Sequence, residues 1–167
     1  KVEIKKEAEE ELIQRIKQAI YKRKFKGISK RQSELIKRMI IKAFDNEWSV
    51  EKLKREIKDI ARKMEIPEIE NIIRTEQSAV YNTAREYSYR QTDPEGKKLY
   101  KWLGPDDTRT SAICKDIKAK TKNGMTLDEL KKTINETAHK YNPEWEVRGM
   151  TPHPQCRHSF IRHYGED

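Results

Sequence analysis

The chain predicts an α+β fold: a mainly helical N-terminal region over residues 1–91, then a small α+β C-terminal unit with a few short strands over residues 92–167. Three observations predict it. Apolar residues recur at helical spacing through the first region, a Thr92-Asp-Pro-Glu-Gly96 turn cluster interrupts that pattern, and short alternating segments separated by turns follow. A length of 167 residues suits one domain, or a compact domain carrying a helical arm.

Four helices are expected before the turn cluster. Ile4, Ala8, Leu12, Ile16 and Ile20 draw one stripe down the first, which Gly27 ends. Ser29 and Gln32 have capping-box form for the second, whose apolar pairs are Leu35/Ile36, Met39/Ile40 and Ala43/Phe44. Ser49 caps a third, with Val50, Leu53, Ile57, Ile60, Ala61 and Met64 on its inner side. Pro67 suits the first turn of a fourth, whose stripe runs through Ile69, Ile72, Ile73, Val80, Ala84 and Tyr87. Beyond the boundary, Lys98–Leu103 reads as a strand ended by Gly104-Pro105. Asp106 to Thr110 caps a brief helix carrying Ile113, Cys114 and Ile117. After an Asn123-Gly124 turn, Thr126 and Glu129 form a second capping box for a helix through Leu127, Leu130, Ile134 and Ala138 to Tyr141. Trp145–Arg148 and Cys156–Tyr164 complete a set of three short strands, with Tyr100, Trp102, Tyr141, Trp145 and Phe160 as the aromatic core.

Charged residues make up 39% of the chain and hydrophobic ones 34%, against about 25% charged in an average globular protein, so the core is modest and the helices heavily solvated. The Lys, Glu and Ile excess is a balance also met in proteins of hot environments. The net charge of +9 is uneven: residues 1–91 carry 23 basic and 16 acidic side chains, residues 92–167 carry 14 and 12. Residues 15–42 hold 11 basic side chains and a single acid, Glu34. Such a block attracts nucleic-acid phosphates or an acidic protein surface, or stands as a solvated helix face. Its nucleic-acid-binding candidates are Lys22, Arg23, Lys24, Lys26, Lys30 and Arg31. No apolar run approaches the roughly 18 residues of a membrane span and no secretory leader is visible. Two cysteines outside a disulfide framework suit a reducing interior. A first residue of Lys rather than Met is the expectation for a fragment or trimmed product.

Candidate metal ligands come from two short segments: Cys114, and His153, Cys156 and His158. On an extended strand Cys156 and His158 point to one face, a His-x-x-Cys step adds a third donor, and Cys114 completes a set of two sulfurs and two nitrogens, which suits structural Zn²⁺. A small unit poor in apolar mass gains from such a staple. The other outcome is a buried thiol, a turn and hydrogen-bonded histidines. His163, on the opposite face of a continuing strand, and His139, on a helix surface, are the less natural ligands. Arg74, Glu76 and Arg85 are expected to form a polar network in which Arg74 or Arg85 pairs with a carboxylate against the α+β unit; no nucleophile or metal-spaced acid accompanies Glu76. Asp106 and Asp107 serve as caps in a polar loop or hold Mg²⁺ in a nuclease. The chain has no phosphate-cradling glycine loop, nucleophile elbow or Ser-His-Asp order.

Three segments, taken together, resemble the Mu F-like family of tailed-phage head morphogenesis (minor capsid) proteins. Ile72-Ile-Arg-Thr-Glu-Gln-Ser-Ala-Val-Tyr-Asn82, with Ala84-Arg85 after it, is similar to the family's helical Arg-Thr-Glu segment. Lys101-Trp-Leu-Gly and Asp107-Thr-Arg-Thr-Ser-Ala-Ile-Cys114 resemble its Trp-centred strand and Asp-x-Arg-Thr loop. Pro152-His-Pro-Gln-Cys-Arg-His158 resembles its closing His-Pro-x-Cys-Arg element. Many members carry Cys at the positions of Ser111 and His158; four candidate ligands remain here. The resemblance implies a non-enzymatic virion protein of few copies, associated with the portal or inner capsid surface, located inside the capsid or in the host cytoplasm during assembly. The basic helices would then hold double-stranded DNA by charge. A metal-dependent nuclease using His158 with Asp106 or Asp107, and a zinc-stabilised DNA-binding module with sequence preference, are the alternatives.

Overall fold

A computed structural model describes residues 6–21, 29–49, 51–53, 55–58 and 69–165. The chain divides into two compact units, Lys1–Arg74 and Thr75–Asp167.

In the first unit, helices α1 (Lys6–Tyr21) and α2 (Lys30–Asp45) pack together. Ile16 and Ile20 of α1, and Ile36, Ile40, Ile41 and Ala43 of α2, are buried, which is the periodicity expected of amphipathic helices. Lys17 reaches Asp45 at 2.7 Å. The Ser29–Gln32 capping box forms in both directions, with Ser29 N donating to Gln32 Oε1 at 2.8 Å and Gln32 N donating to Ser29 Oγ at 3.2 Å. Ser49 Oγ accepts from Lys52 N at 3.2 Å, opening the helical residues 51–53 and 55–58, where Leu53 and Ile57 are buried. The side chains of Ile4, Ala8 and Leu12, and Gly27, Val50, Ile60, Ala61, Met64 and Pro67, lie outside the described residues.

Helix α3 (Ile69–Thr92) ends at the expected turn cluster, but its residues from Thr75 onward already belong to the second unit. The turn is built on Asp93, whose carboxylate accepts from Lys97 N and Lys98 N at 3.1 and 3.0 Å. Gly96 takes φ +65° there, a conformation that glycine adopts without Cβ strain. β1 (Leu99–Leu103) pairs antiparallel with β2 (Ser159–His163), Trp102 opposite Phe160. Met125 adds a rung on the other edge of β1 through reciprocal bonds with Tyr100 at 2.8 and 3.0 Å. Helices α4 (Ala112–Lys120) and α5 (Leu127–Tyr141) pack on β1 and on each other. The core is Tyr100, Trp102, Cys114, Ile117, Leu127, Leu130, Ile134, Met150, Cys156 and Phe160. The α+β fold is therefore as expected, with mainly helical residues first and two short antiparallel strands among the described residues.

Three expectations are corrected. Trp145–Arg148 is not a strand: Gly149 and Met150 both take positive φ, at 50° and 59°, and turn the chain back so that the backbone of Arg148 forms an isolated bridge with Thr151. The last strand starts at Ser159, leaving Cys156 and His158 in the irregular approach to it. Tyr141, at the end of α5, is 45% exposed rather than core, with Lys140 Nζ 5.4 Å from its ring centre.

Candidate metal centre

Ser111, rather than Asp106–Thr110, caps α4. Its hydroxyl accepts from Cys114 N at 3.1 Å, which places Cys114 in the first helical turn, where free backbone N–H groups favour a thiolate. The second segment arrives from 39 residues further along the chain. Cys114 Sγ lies 3.5 Å from Cys156 Sγ and 3.1 Å from His153 Nε2. The ligand atoms of Cys114, Cys156 and His158 all fall within 4.8 Å of one another. Cys114, Cys156 and His158 are buried and His153 half-buried, so the four candidate side chains converge, with His153 joining the group through Cys114.

The residues fit a bound metal. Bonds of about 2.3 Å to sulfur and about 2.1 Å to nitrogen bring tetrahedral ligand atoms to about 3–4 Å of each other. His153 Nδ1 lies 2.8 Å from the Pro154 carbonyl, to which it donates, and that hydrogen bond leaves Nε2 as the metal-facing nitrogen. Among the described residues the fully buried His158 Nε2 has no hydrogen-bond partner, a state that buried imidazoles rarely tolerate and that coordination would relieve. The His158 ring stacks on Trp102 at 6.2 Å between centroids. It packs so closely on Gly104 that a Cβ there would stand 2.9 Å from His158 Cα and collide with the ring. The residue between strand and loop must therefore lack a side chain.

The electrostatics divide the four donors: Cys114 and His158 shift toward the deprotonated forms that bind metal, Cys156 and His153 away from them. The hydrogen bond from Cys156 holds the Cys114 thiol well below its ordinary pKa, against burial and with help from His153. The same shared proton, together with burial, pushes Cys156 up. Burial alone would lower His153, but the hydrogen bond and charge of Cys114 and the Pro154 carbonyl outweigh it, and the net shift is upward. Burial lowers His158, which favours the neutral imidazole that binds metals.

The acids face elsewhere. Arg157, between Cys156 and His158, grips Asp107 with two bonds of 2.9 and 2.7 Å. That pairing holds the Asp107 carboxyl far below the usual carboxylate range. Asp106 is exposed, 3.5 Å from Lys118. Among the described residues no carboxylate joins the thiol–imidazole group. In the polar network, Glu76 pairs with Arg148 at 2.6 Å, both nearly buried, whereas Arg74 is exposed. Arg85 donates to the Phe160 carbonyl at 2.9 Å and to Tyr81 Oη. The partner of Glu76 is thus Arg148, 72 residues away, rather than the arginines near it in sequence, a pairing that sequence spacing does not signal. His139 is an exposed helix residue bonded to the Trp145 carbonyl at 3.0 Å, and His163 lies within β2. Of the basic candidates, Lys30 and Arg31 are exposed at the start of α2; Lys22, Arg23, Lys24 and Lys26 lie outside the described residues.

The family described as Phage Mu protein F like protein matches residues 34–161. The chain belongs to this family. The match spans all the segments whose side chains meet in the second unit: the Arg-Thr-Glu stretch of α3, the Asp107 loop with Cys114, and the His153–His158 segment. Lys22 to Arg31 precede it. None of the curated proteins or solved structures compared with the Mu F-like chain matches it.

Proposed function

We propose that this Mu F-like protein is a head morphogenesis or minor capsid component of a tailed phage or prophage, acting by assembly rather than by catalysis. In this reading the second unit docks on the portal or the inner capsid surface, and the basic N-terminal helices hold double-stranded DNA through its phosphates without reading bases. One observation carries the assembly reading. The family's recurring segments converge on a thiol–imidazole cluster whose two sulfurs lie in the hydrophobic core, with Cys114 0% and Cys156 3% exposed, and whose His153 is half-buried at its edge. Reaction at a metal needs an open position for substrate, whereas a closed Cys/His set fastens chain segments. Zn²⁺, when bound, would supply that fastening through Cys114, Cys156, His158 and His153. Asp107, which a nuclease would direct at its metal, is spent on Arg157. Among the described residues no helix is long and apolar enough to cross a membrane.

Co-expression with the portal and capsid proteins of the same gene neighbourhood tests the assembly reading: the chain is expected to co-purify with the portal and enter procapsids, and a chain absent from both overturns it. For the DNA half, replacing Lys22, Arg23, Lys24 and Lys26 together by Gln is expected to weaken binding equally on unrelated duplexes and to flatten its salt dependence by about 0.9 per lost phosphate contact. An unchanged salt slope removes that half, and strong preference for one duplex favours a zinc-stabilised DNA-binding module instead. Plasmid cleavage with Mg²⁺ or Mn²⁺, abolished by His158→Ala, would establish the nuclease.

A further inference from the structure

The loop from Arg148 to His158 carries three of the four candidate ligands, and its path is unusual. It bends through three residues in the left-handed region: Gly149 at φ 50°, Met150 at φ 59° and Gln155 at φ 55°. Side-chain-bearing residues seldom adopt that conformation unless their surroundings hold them there. The holder is α3. Gln155 N donates to Thr75 Oγ1 at 3.0 Å. Asn82 Nδ2 donates to the Met150 carbonyl at 3.3 Å, while Asn82 Oδ1 accepts from Ser159 Oγ at 2.7 Å. Gly149 lies so close to the Ala79 carbonyl and Thr83 Oγ1 that no Cβ would fit. Between these points Ser78 Oγ donates to the carbonyl of Cys156 at 2.8 Å, and Glu76 takes Arg148. Thr75, Glu76, Ser78, Ala79 and Asn82 occupy one helix face by their three- and four-residue spacing. At every left-handed bend, then, a helix atom meets the loop.

We propose that the Thr75–Asn82 stretch of α3 is the positioning element of the metal centre. It fixes the bends at Met150 and Gln155 so that His153, Cys156 and His158 stand in place before an ion arrives. The proposal rests on the metal reading of the cluster. Thr75, Ser78 and Asn82 are positioning residues: the bonds named here go to loop backbone or to Ser159. Their effect is preorganisation, since a loop ordered only on binding would surrender affinity to the entropy of ordering.

The test is titration of the full chain with Zn²⁺, by competition with a chromogenic chelator, and with Co²⁺, by its thiolate charge-transfer and ligand-field absorption. Thr75→Val and Ser78→Ala are each expected to weaken Zn²⁺ binding about 10–100-fold, the range for residues that orient metal ligands, with the metal-free circular dichroism unchanged. Thr75→Ser, which keeps the hydroxyl, restores binding. So in large part does Gln155→Gly added to Thr75→Val, because glycine enters the left-handed bend without help. Leu127→Ala, a core change in α5 at a residue that makes none of these bonds to the loop, separates positioning from general loosening and is expected to leave affinity within about threefold of the parent. Parent-like affinity in both Thr75→Val and Ser78→Ala overturns the proposal, as does a loss in Leu127→Ala equal to theirs. Should Thr75→Val not fold, Ser78→Ala decides alone. A parent chain that takes up neither metal ends the metal reading and this proposal together, a result distinct from failure of the variants.

Discussion

Helix α5 and the second half of α3 lie in one unit yet bury faces of opposite chemistry. α5 turns Leu127, Leu130, Ile134 and Ala138 inward; α3 buries Thr75, Glu76 and Asn82 beside Ala79 and Tyr87. The difference follows from what each helix meets. α5 packs on β1 and α4, whose backbone bonds are already made, so apolar area is the useful currency. Much of α3's inner face meets the loop 148–158, which apart from the Arg148–Thr151 bridge has no ladder or helix to satisfy its N–H and C=O groups, so those groups must find side chains. A helix facing irregular backbone has to be polar where it is most buried. At their rims the two helices join through Glu86 with Lys131 at 3.1 Å and Arg90 with Asp128 at 2.9 Å; these partly exposed pairs contribute little by comparison.

The contrast is broken most directly at its centre. Glu76→Ala leaves the Arg148 guanidinium buried without its carboxylate and is expected to cost about 3–5 kcal/mol in urea denaturation. Replacing both partners, Glu76→Leu with Arg148→Met, is expected to return most of that loss, because an apolar pair needs no counter-charge. If the double replacement is as unstable as the single one, the salt bridge is not what holds this face. On the apolar side, Ile134→Ala is expected to lose about 2–5 kcal/mol, set by the cavity left in the core. It should do so without the recovery by a partner substitution that Glu76 predicts. The smallest of these effects belongs to the helix end: Thr126→Ala removes the half of the α5 capping box in which Glu129 N donates to Thr126 Oγ1 at 3.3 Å, and is expected to cost about 1 kcal/mol. A thermal midpoint unchanged in Thr126→Ala would mean that packing alone fixes where α5 begins.

The same contrast explains what could be read in the sequence. α2 and α5 were legible to their caps because apolar period and capping box coincide in each. In α3 the apolar stripe located the helix and identified Ile73 and Tyr87, which are buried, but Val80 and Ala84 of that stripe are only half-buried. The working face, through Thr75, Glu76 and Asn82, carries no apolar period, so hydrophobic spacing does not reveal it. The cluster was legible for a different reason. Cysteine is scarce here, with 2 in 167 residues, and both lie in segments that also resemble one family. What spacing could not supply was the backbone. Cys156 and His158 approach the centre from an irregular segment preceded by the left-handed Gln155, not from a strand. Ser111 emerges as the cap of the Cys114 helix only through its bond from Cys114 N at 3.1 Å, and the same hydroxyl lies 2.9 Å from His153 Nε2.

Tyr100 is the intermediate case, an apolar ring in the core with a polar tip, and it sharpens the comparison through pH. The residue is fully buried in β1, and its hydroxyl lies 3.4 Å from Asp93 Oδ2 in the turn that ends α3. Burial, then the charge and hydrogen bond of Asp93, push its phenol from an ordinary 10.0 up to about 12, against the opposing charge of Arg162. The unfolded chain therefore releases this proton near pH 10 while the folded chain keeps it. The stability it contributes is complete below pH 10 and is lost as pH rises toward about 12. Tyr100→Phe removes the titrating group but leaves Asp93 its bonds to Lys97 N and Lys98 N, so the turn persists. Urea midpoints measured from about pH 8 to about pH 12 should fall less steeply for Tyr100→Phe than for the parent over that window. Equal slopes would assign the alkaline loss to the lysines that crowd this chain. The buried polar tip would then be tolerated in the apolar half of the unit without making it sensitive to pH, unlike the polar face of α3, where each buried group is held by a named partner.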